Sequence, residues 1–98
     1  MKPLDTGQLA AELGALPAWT HDRTRNALHR RIELEDFART FGLMTQIAII
    51  ADKRDHHPEW SNVYNRLEIW LTTHDAAGVS QRDVDMAREI DRLLPGDF

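Results

Sequence analysis

Ala27-Leu28-His29-Arg30-Arg31-Ile32-Glu33-Leu34, running on into Glu35-Asp36-Phe37, changes its hydrophobic period partway along. Up to Leu34 the chain alternates. Leu28, Ile32 and Leu34 point one way, and His29, Arg31 and Glu33 the other, as in a half-buried strand. Arg30 is the one mismatch on the inner side. From Glu35 to Lys53 the period lengthens. Phe37, Phe41, Met44, Ala48 and Ala51 recur at steps of four and three, with Leu43, Ile47 and Ile50 widening the stripe. This predicts a long central helix, acidic at its start as the helix dipole favours, with Phe37, Phe41 and Met44 in the core.

The same two periods recur on either side. Upstream, Asp5 or Thr6 starts a helix that carries Leu9, Leu13 and Leu16 on one face and is ended by Pro17. Trp19 opens a short extended piece, and His21-Asp22-Arg23-Thr24-Arg25-Asn26 reads as a turn. Downstream, Pro58 shows that the long helix has ended. A strand or bent strand pair follows from Asn62 to His74, with Leu67, Ile69, Leu71 and Thr73 on one face and Glu68, Trp70, Thr72 and His74 on the other. Ser80, with Asp83 three residues on, has the spacing of a capping box. Val84, Ala87, Ile90 and Leu94 then form the apolar face of a last helix, stopped by Pro95-Gly96. The order α-β-β-α-β-β-α predicts an α+β fold: a four-stranded antiparallel sheet with three helices packed on one face. Trp70 and His74 are expected on the uncovered face.

Ninety-eight residues make one domain, taken as residues 1–98, with a modest core that self-association would enlarge. The net charge of −4 gives no reason to expect a nucleic-acid partner. No cysteine is present, so disulfides, thiolate nucleophiles and Cys-type zinc sites are all excluded. Nothing at the start resembles a signal peptide, and the longest apolar run, Ile47 to Ala51, cannot cross a bilayer. A cytoplasmic protein is expected, with no membrane association.

Chemistry concentrates in Asp55-His56-His57-Pro58-Glu59-Trp60, with His74 eighteen residues beyond His56. Imidazole both donates and accepts protons near neutral pH, so clustered histidines suggest proton transfer or a metal site. Two imidazoles flanking a substrate suit an elimination or dehydration. Three histidines also make a metal set, with Asp55 or Asp75 as a supporting partner, although adjacent ligands are awkward geometrically. The plainest alternative is a group of loop histidines without a task. His21 and His29 read as solvated, and Asp83, on spacing alone, as a helix cap.

The histidines belong to a longer pattern. Asp52, His56-His57-Pro58, Tyr64, His74 and Asp83 keep the spacings three, five, nine and eight that mark the pterin-4a-carbinolamine dehydratases. The phrase from Asp55 to Asn65 also resembles members of that family, as do Glu35-Asp36-Phe37 with Phe41-Gly42, and Ala77-Gly78-Val79-Ser80 with Arg82-Asp83. The resemblance runs from about Trp19 to the last helix. Departures are few, the clearest being Trp70, where members often carry a smaller residue.

The resemblance implies that water is eliminated from a 4a-hydroxytetrahydropterin to give quinonoid dihydropterin, after aromatic amino-acid hydroxylation. It implies no metal and no cofactor, the pterin being the substrate. His56, His57, His74 and Asp83 match catalytic positions: His56 and His74 as the acid–base pair, His57 orienting the pterin, and Asp83 supporting a histidine. The pterin would contact His56, His57 and Pro58, and the segment Thr73, His74, Asp75 and Ala76. A homodimer or homotetramer is implied, with sheets joined edge to edge, and an aromatic amino-acid hydroxylase is a possible partner. A competing expectation is a non-catalytic binding or dimerisation module, since animal members also partner a homeodomain transcription factor through a helical surface. An exposed apolar helix face would favour it.

Overall fold

A computed structural model of the chain describes residues 1–95. The elements run α1 (Thr6–Gly14), β1 (Thr20–Asp22), β2 (Ala27–Glu33), α2 (Phe37–Arg54), β3 (Glu59–Val63), β4 (Arg66–Leu71), a 3-10 turn (His74–Ala76) and α3 (Gln81–Arg92). The strands form one antiparallel sheet in the order β1-β2-β4-β3, the expected α+β architecture.

Each helix begins where the sequence supplies a cap. Asp5 accepts the Gln8 amide at 2.8 Å, and the Gln8 side chain returns a bond to the Asp5 amide at 2.9 Å. Asp36 accepts the Arg39 amide at the start of α2, and Ser80 with Asp83 forms the predicted capping box at α3. Such caps contribute on the order of 1 kcal/mol each. α3 ends at Arg92, and the predicted stop at Gly96 lies outside the described residues.

The inner face of the sheet is set by register. Leu28 faces Leu71, Arg30 faces Ile69, and Ile32 faces Leu67. These apolar side chains pack with Leu43, Ile47 and Ala51 of α2 and Val84, Met86, Ala87 and Ile90 of α3; Leu9 and Leu13 of α1 close the edge. Each fully buried aliphatic side chain contributes roughly 1.5–3 kcal/mol. Arg30, the mismatch in the strand pattern, is buried after all. Its guanidinium is paired with Asp91 of α3, whose carboxylate also accepts Trp19 Nε1–H at 2.9 Å. One acidic residue thus ties α3 to the sheet and to the segment before β1.

Four expectations need correction, the fourth being the uncovered Trp70 described below. The buried side of α2 is Thr40, Leu43, Ile47 and Ala51, whereas Phe37 and Phe41 are about half exposed and Ile49 is more so. The helix carries two apolar stripes, and the sheet takes the other one. Thr40 is tolerated inside because its hydroxyl donates to the Asp36 carbonyl at 2.8 Å. Second, β4 stops at Leu71, and His74 opens the 3-10 turn instead of ending a strand. Third, His29 is not solvated. It lies half-buried against Trp70, with ring centroids 5.0 Å apart.

Trp70 does lie on the face of the sheet away from the helices, but it is covered. Arg25 reaches over from the β1–β2 turn, with its guanidinium 3.7 Å from the indole centroid, and the indole N–H donates to Asp22 at 3.0 Å. The backbone N–H of Arg25 donates to Asp22, and this bond is the main reason its carboxyl is held below the usual carboxylate range.

Candidate active site

The histidine loop starts where α2 unwinds. Asp55 takes the left-handed conformation, with φ 50° and ψ 45°, and its N–H closes the last turn on Ala51 and Asp52. The His56 amide follows by donating to the Ala51 carbonyl at 3.0 Å, which completes a helix-ending motif that usually employs glycine. The chain leaves at a sharp angle. Pro58 then fixes the exit into β3.

That turn sends His56 inward and His57 outward. His56 is 7% exposed, and its Nε2 lies 2.5 Å from Oδ1 of Asp83, which is fully buried in the first turn of α3. The proton positions around Asp83 follow from counting donors. Its other oxygen, Oδ2, accepts the Thr73 hydroxyl at 2.7 Å and the Ser80 amide at 2.8 Å. Because Thr73 gives its proton to Asp83, the 2.6 Å contact between Thr73 and Ser80 must be donated by Ser80. The carboxylate therefore only accepts, and His56 supplies its third hydrogen bond through Nε2–H. In the neutral ring, Nδ1 then carries the lone pair. Asp83 is both the helix cap that its spacing indicates and the group that orients a histidine.

His57 and His74 are built differently. The His57 ring is mostly exposed, with Nε2 3.7 Å from Asp52 on α2. His74 is 86% exposed, with Nε2 3.7 Å from Glu59 on β3, and Glu59 also lies 3.6 Å from Arg25. The turn that bears His74 is pinned from below: the Asn26 side chain donates to the Ala77 carbonyl at 3.1 Å, and the Thr72 hydroxyl donates to the Asn26 carbonyl at 2.9 Å.

A cleft of about 390 Å³ lies between the two loops, with His56, His57, Pro58, Thr73, His74 and Asp75 in its wall. These are six of the residues expected at the substrate. Ala76, the seventh, is buried in the 3-10 turn and is absent from the wall. Asp55, Glu59, Thr72 and Arg82 complete the lining; of these, Glu59, Thr72 and Arg82 were not singled out from the sequence as site residues. Arg82 adjoins Asp83 in the chain, and Glu59 follows Pro58, but only the folded structure reveals their place. Tyr64, part of the sequence pattern, sits instead at the β3–β4 turn with φ 53°. A larger apolar groove of about 570 Å³ beside Leu43 and Leu93 has no histidine in its lining. Among the described residues, no three His, Asp or Glu side chains are grouped to hold a metal ion, and no helix is long and apolar enough to cross a membrane.

With three histidines in the wall of one cleft and a buried carboxylate behind one of them, the site has the parts for general acid–base chemistry on a small molecule. Comparisons with known proteins identify the family. A family profile described as pterin 4 alpha carbinolamine dehydratase matches residues 2–93. A Rhizorhabdus wittichii protein, provisionally named a pterin-4-alpha-carbinolamine dehydratase, is 50% identical over 93 residues, covering 95% of this chain and 96% of its own. A Bordetella avium protein with the same provisional name is 53% identical over 83 residues, covering 85% of this chain and 77% of its own. A crystal structure from Brucella melitensis, described as a transcriptional coactivator/pterin dehydratase, superposes with a TM-score of 0.91 at 39% identity. It covers 94% of this chain and 98% of that one.

Proposed function

The chain belongs to the pterin 4 alpha carbinolamine dehydratase family, and from that premise we propose that it removes water from a 4a-hydroxytetrahydropterin by histidine acid–base catalysis in the cytoplasm. The pterin enters the cleft between the His56-His57-Pro58 loop and the Thr73–Asp75 segment. His56, with its Nε2–H committed to Asp83, presents Nδ1 as the base for the N5 proton. His74, on the other loop of the cleft, donates a proton to the departing 4a-hydroxyl. His57 orients the ring. The C4a–O bond breaks, water leaves, and the quinonoid dihydropterin carries the new double bond between N5 and C4a. No electrons are exchanged with another reagent, and since the two imidazoles take and give the protons, the proposal assigns no step to a metal or a cofactor.

The observation that carries this reading is the fixed His56–Asp83 contact opening onto the same cleft as His74. Positioned acid–base groups of this kind contribute about 10²–10⁴-fold in rate. The direct test is the decay of a 4a-hydroxytetrahydropterin in the presence of the protein. A rate equal to that in buffer sinks the reading. The source of such a substrate is an aromatic amino-acid hydroxylase, the partner the reading calls for.

A second reading rests on α2, which exposes the apolar helix face named above as favouring a binding or dimerisation module. Phe37 and Phe41, one helical turn apart with ring centroids at 5.7 Å, form an exposed apolar face with Ile49. A chain with so small a core gains from covering such a face, and we propose that a second copy covers it, giving a homodimer or homotetramer. Phe41→Asp then lowers the mass measured by sedimentation while leaving the circular dichroism spectrum unchanged. An unchanged mass, or a wild-type protein that is already monomeric, contradicts it.

A further inference from the structure

The loop bearing His56 and His57 is held at a second point that the acid–base scheme does not use. Arg82 sits beside Asp83 in the first turn of α3, yet its side chain leaves the helix and crosses to the end of α2. There its Nη2 donates to the Asp55 carbonyl at 2.8 Å and to the Arg54 carbonyl at 3.3 Å. These belong to the carbonyls a helix C-terminus leaves without an intrahelical partner. They also flank the one residue, Asp55, whose left-handed backbone sets the direction in which His56 departs.

A non-glycine residue in that conformation persists only where its surroundings hold it. Among the described residues the Asp55 side chain makes no hydrogen bond, and the hold comes through its backbone. Arg82 therefore completes a clamp. Asp83 fixes the His56 ring from beneath, while Arg82 fixes the peptide that places the ring's Cα. Farther along α3, Glu89 takes two hydrogen bonds from Arg54, one of them at 3.1 Å, and ties down the same helix end from outside.

We infer that Arg82 is a positioning residue for the proposed dehydration, acting through the Arg54 and Asp55 carbonyls on the placement of His56 and His57. One guanidinium nitrogen, Nη2, serves both carbonyls, one through each of its two N–H groups. The inference rests on the dehydratase reading for its kinetic consequence, but the clamp itself is testable without any activity.

The test has two arms. In the first, backbone amide spectra of Arg82→Gln are compared with wild type. Signals of residues 54–57 should shift or broaden while those of the Asn26–Ala77 contact stay in place; unmoved loop signals overturn the clamp even if the protein has no dehydratase activity. In the second, Arg82→Gln lowers kcat about 10–100-fold, the size expected for a misplaced catalytic group, with KM changed by less than about threefold. Arg82→Lys, the milder variant should Arg82→Gln fail to fold, recovers part of the kcat and part of the loop signals. A raised KM with unchanged kcat makes Arg82 a substrate contact and overturns the inference. So does a lowered melting temperature with kcat unchanged, which reduces the clamp to a purely structural tie.

Discussion

His56 and His74 line one cleft, but the first rests on a buried carboxylate already bonded to Thr73 and Ser80, whereas the second stands 86% exposed with Glu59 no nearer than 3.7 Å. The difference is one of solvent. A buried imidazole needs a partner for its N–H, and supplying one fixes both ring and proton. An exposed imidazole is bonded by water and is free to exchange protons with it. A site that takes a proton on one side and gives one on the other uses both kinds of environment. His56 is thereby bound to the stability of the fold, and His74 is not.

That contrast breaks down if stability and activity fail to separate at the two positions. The largest effect is expected at Asp83→Ala, which strands the His56 ring, the Thr73 hydroxyl and the Ser80 amide in a buried site. A loss of about 3–5 kcal/mol in urea unfolding is expected, as for a broken buried charged network, along with the activity. His74→Ala should alter unfolding by no more than about 0.5 kcal/mol, as for an ordinary surface change. A loss below about 1 kcal/mol at Asp83 would show that the network is incidental.

A smaller effect sharpens the comparison at the surface. The hydrogen bond from Arg54 holds the Glu89 carboxyl below the usual carboxylate range, and the same bond raises Arg54 above its ordinary value. Because the carboxyl is lowered on folding, its contribution is complete above the ordinary glutamate pKa of about 4.3 and is lost as pH falls through the lowered value. The pair is partly exposed, so the contribution is at most about 1 kcal/mol. Glu89→Gln should cost up to about 1 kcal/mol at neutral pH, converge with wild type in acid, and so flatten the stability profile in that acidic window. An equally steep acid profile in Glu89→Gln would assign the dependence to other carboxylates.

The element order was legible because the period of the apolar residues switches cleanly at Leu34–Glu35 and again after Pro58. Caps at Asp5 and Ser80 were legible because their bonds are local. What failed was local in pattern but decided at long range. α2 has apolar residues on two faces, and periodicity cannot say whether Phe41 or Ile47 meets the sheet. Trp70 looked uncovered because the residue that roofs it, Arg25, belongs to a distant turn. The candidate site divides the same way. His56, His57 and His74 stand out by residue type and by the spacing of the family they resemble. The Asp83–His56 contact spans 27 positions and the Arg82–Asp55 contact also spans 27, and neither leaves a trace in composition or period.

The central claim is that two unlike histidines share one proton-transfer task, and the most direct measurement is single-turnover dehydration of a 4a-hydroxytetrahydropterin by wild-type, His56→Ala and His74→Ala protein. The account predicts acceleration over buffer by wild type and a loss of about 10²–10⁴-fold in each variant, with the His74→Ala protein as stable as wild type. Full activity in either variant, or none in the wild type, would contradict it.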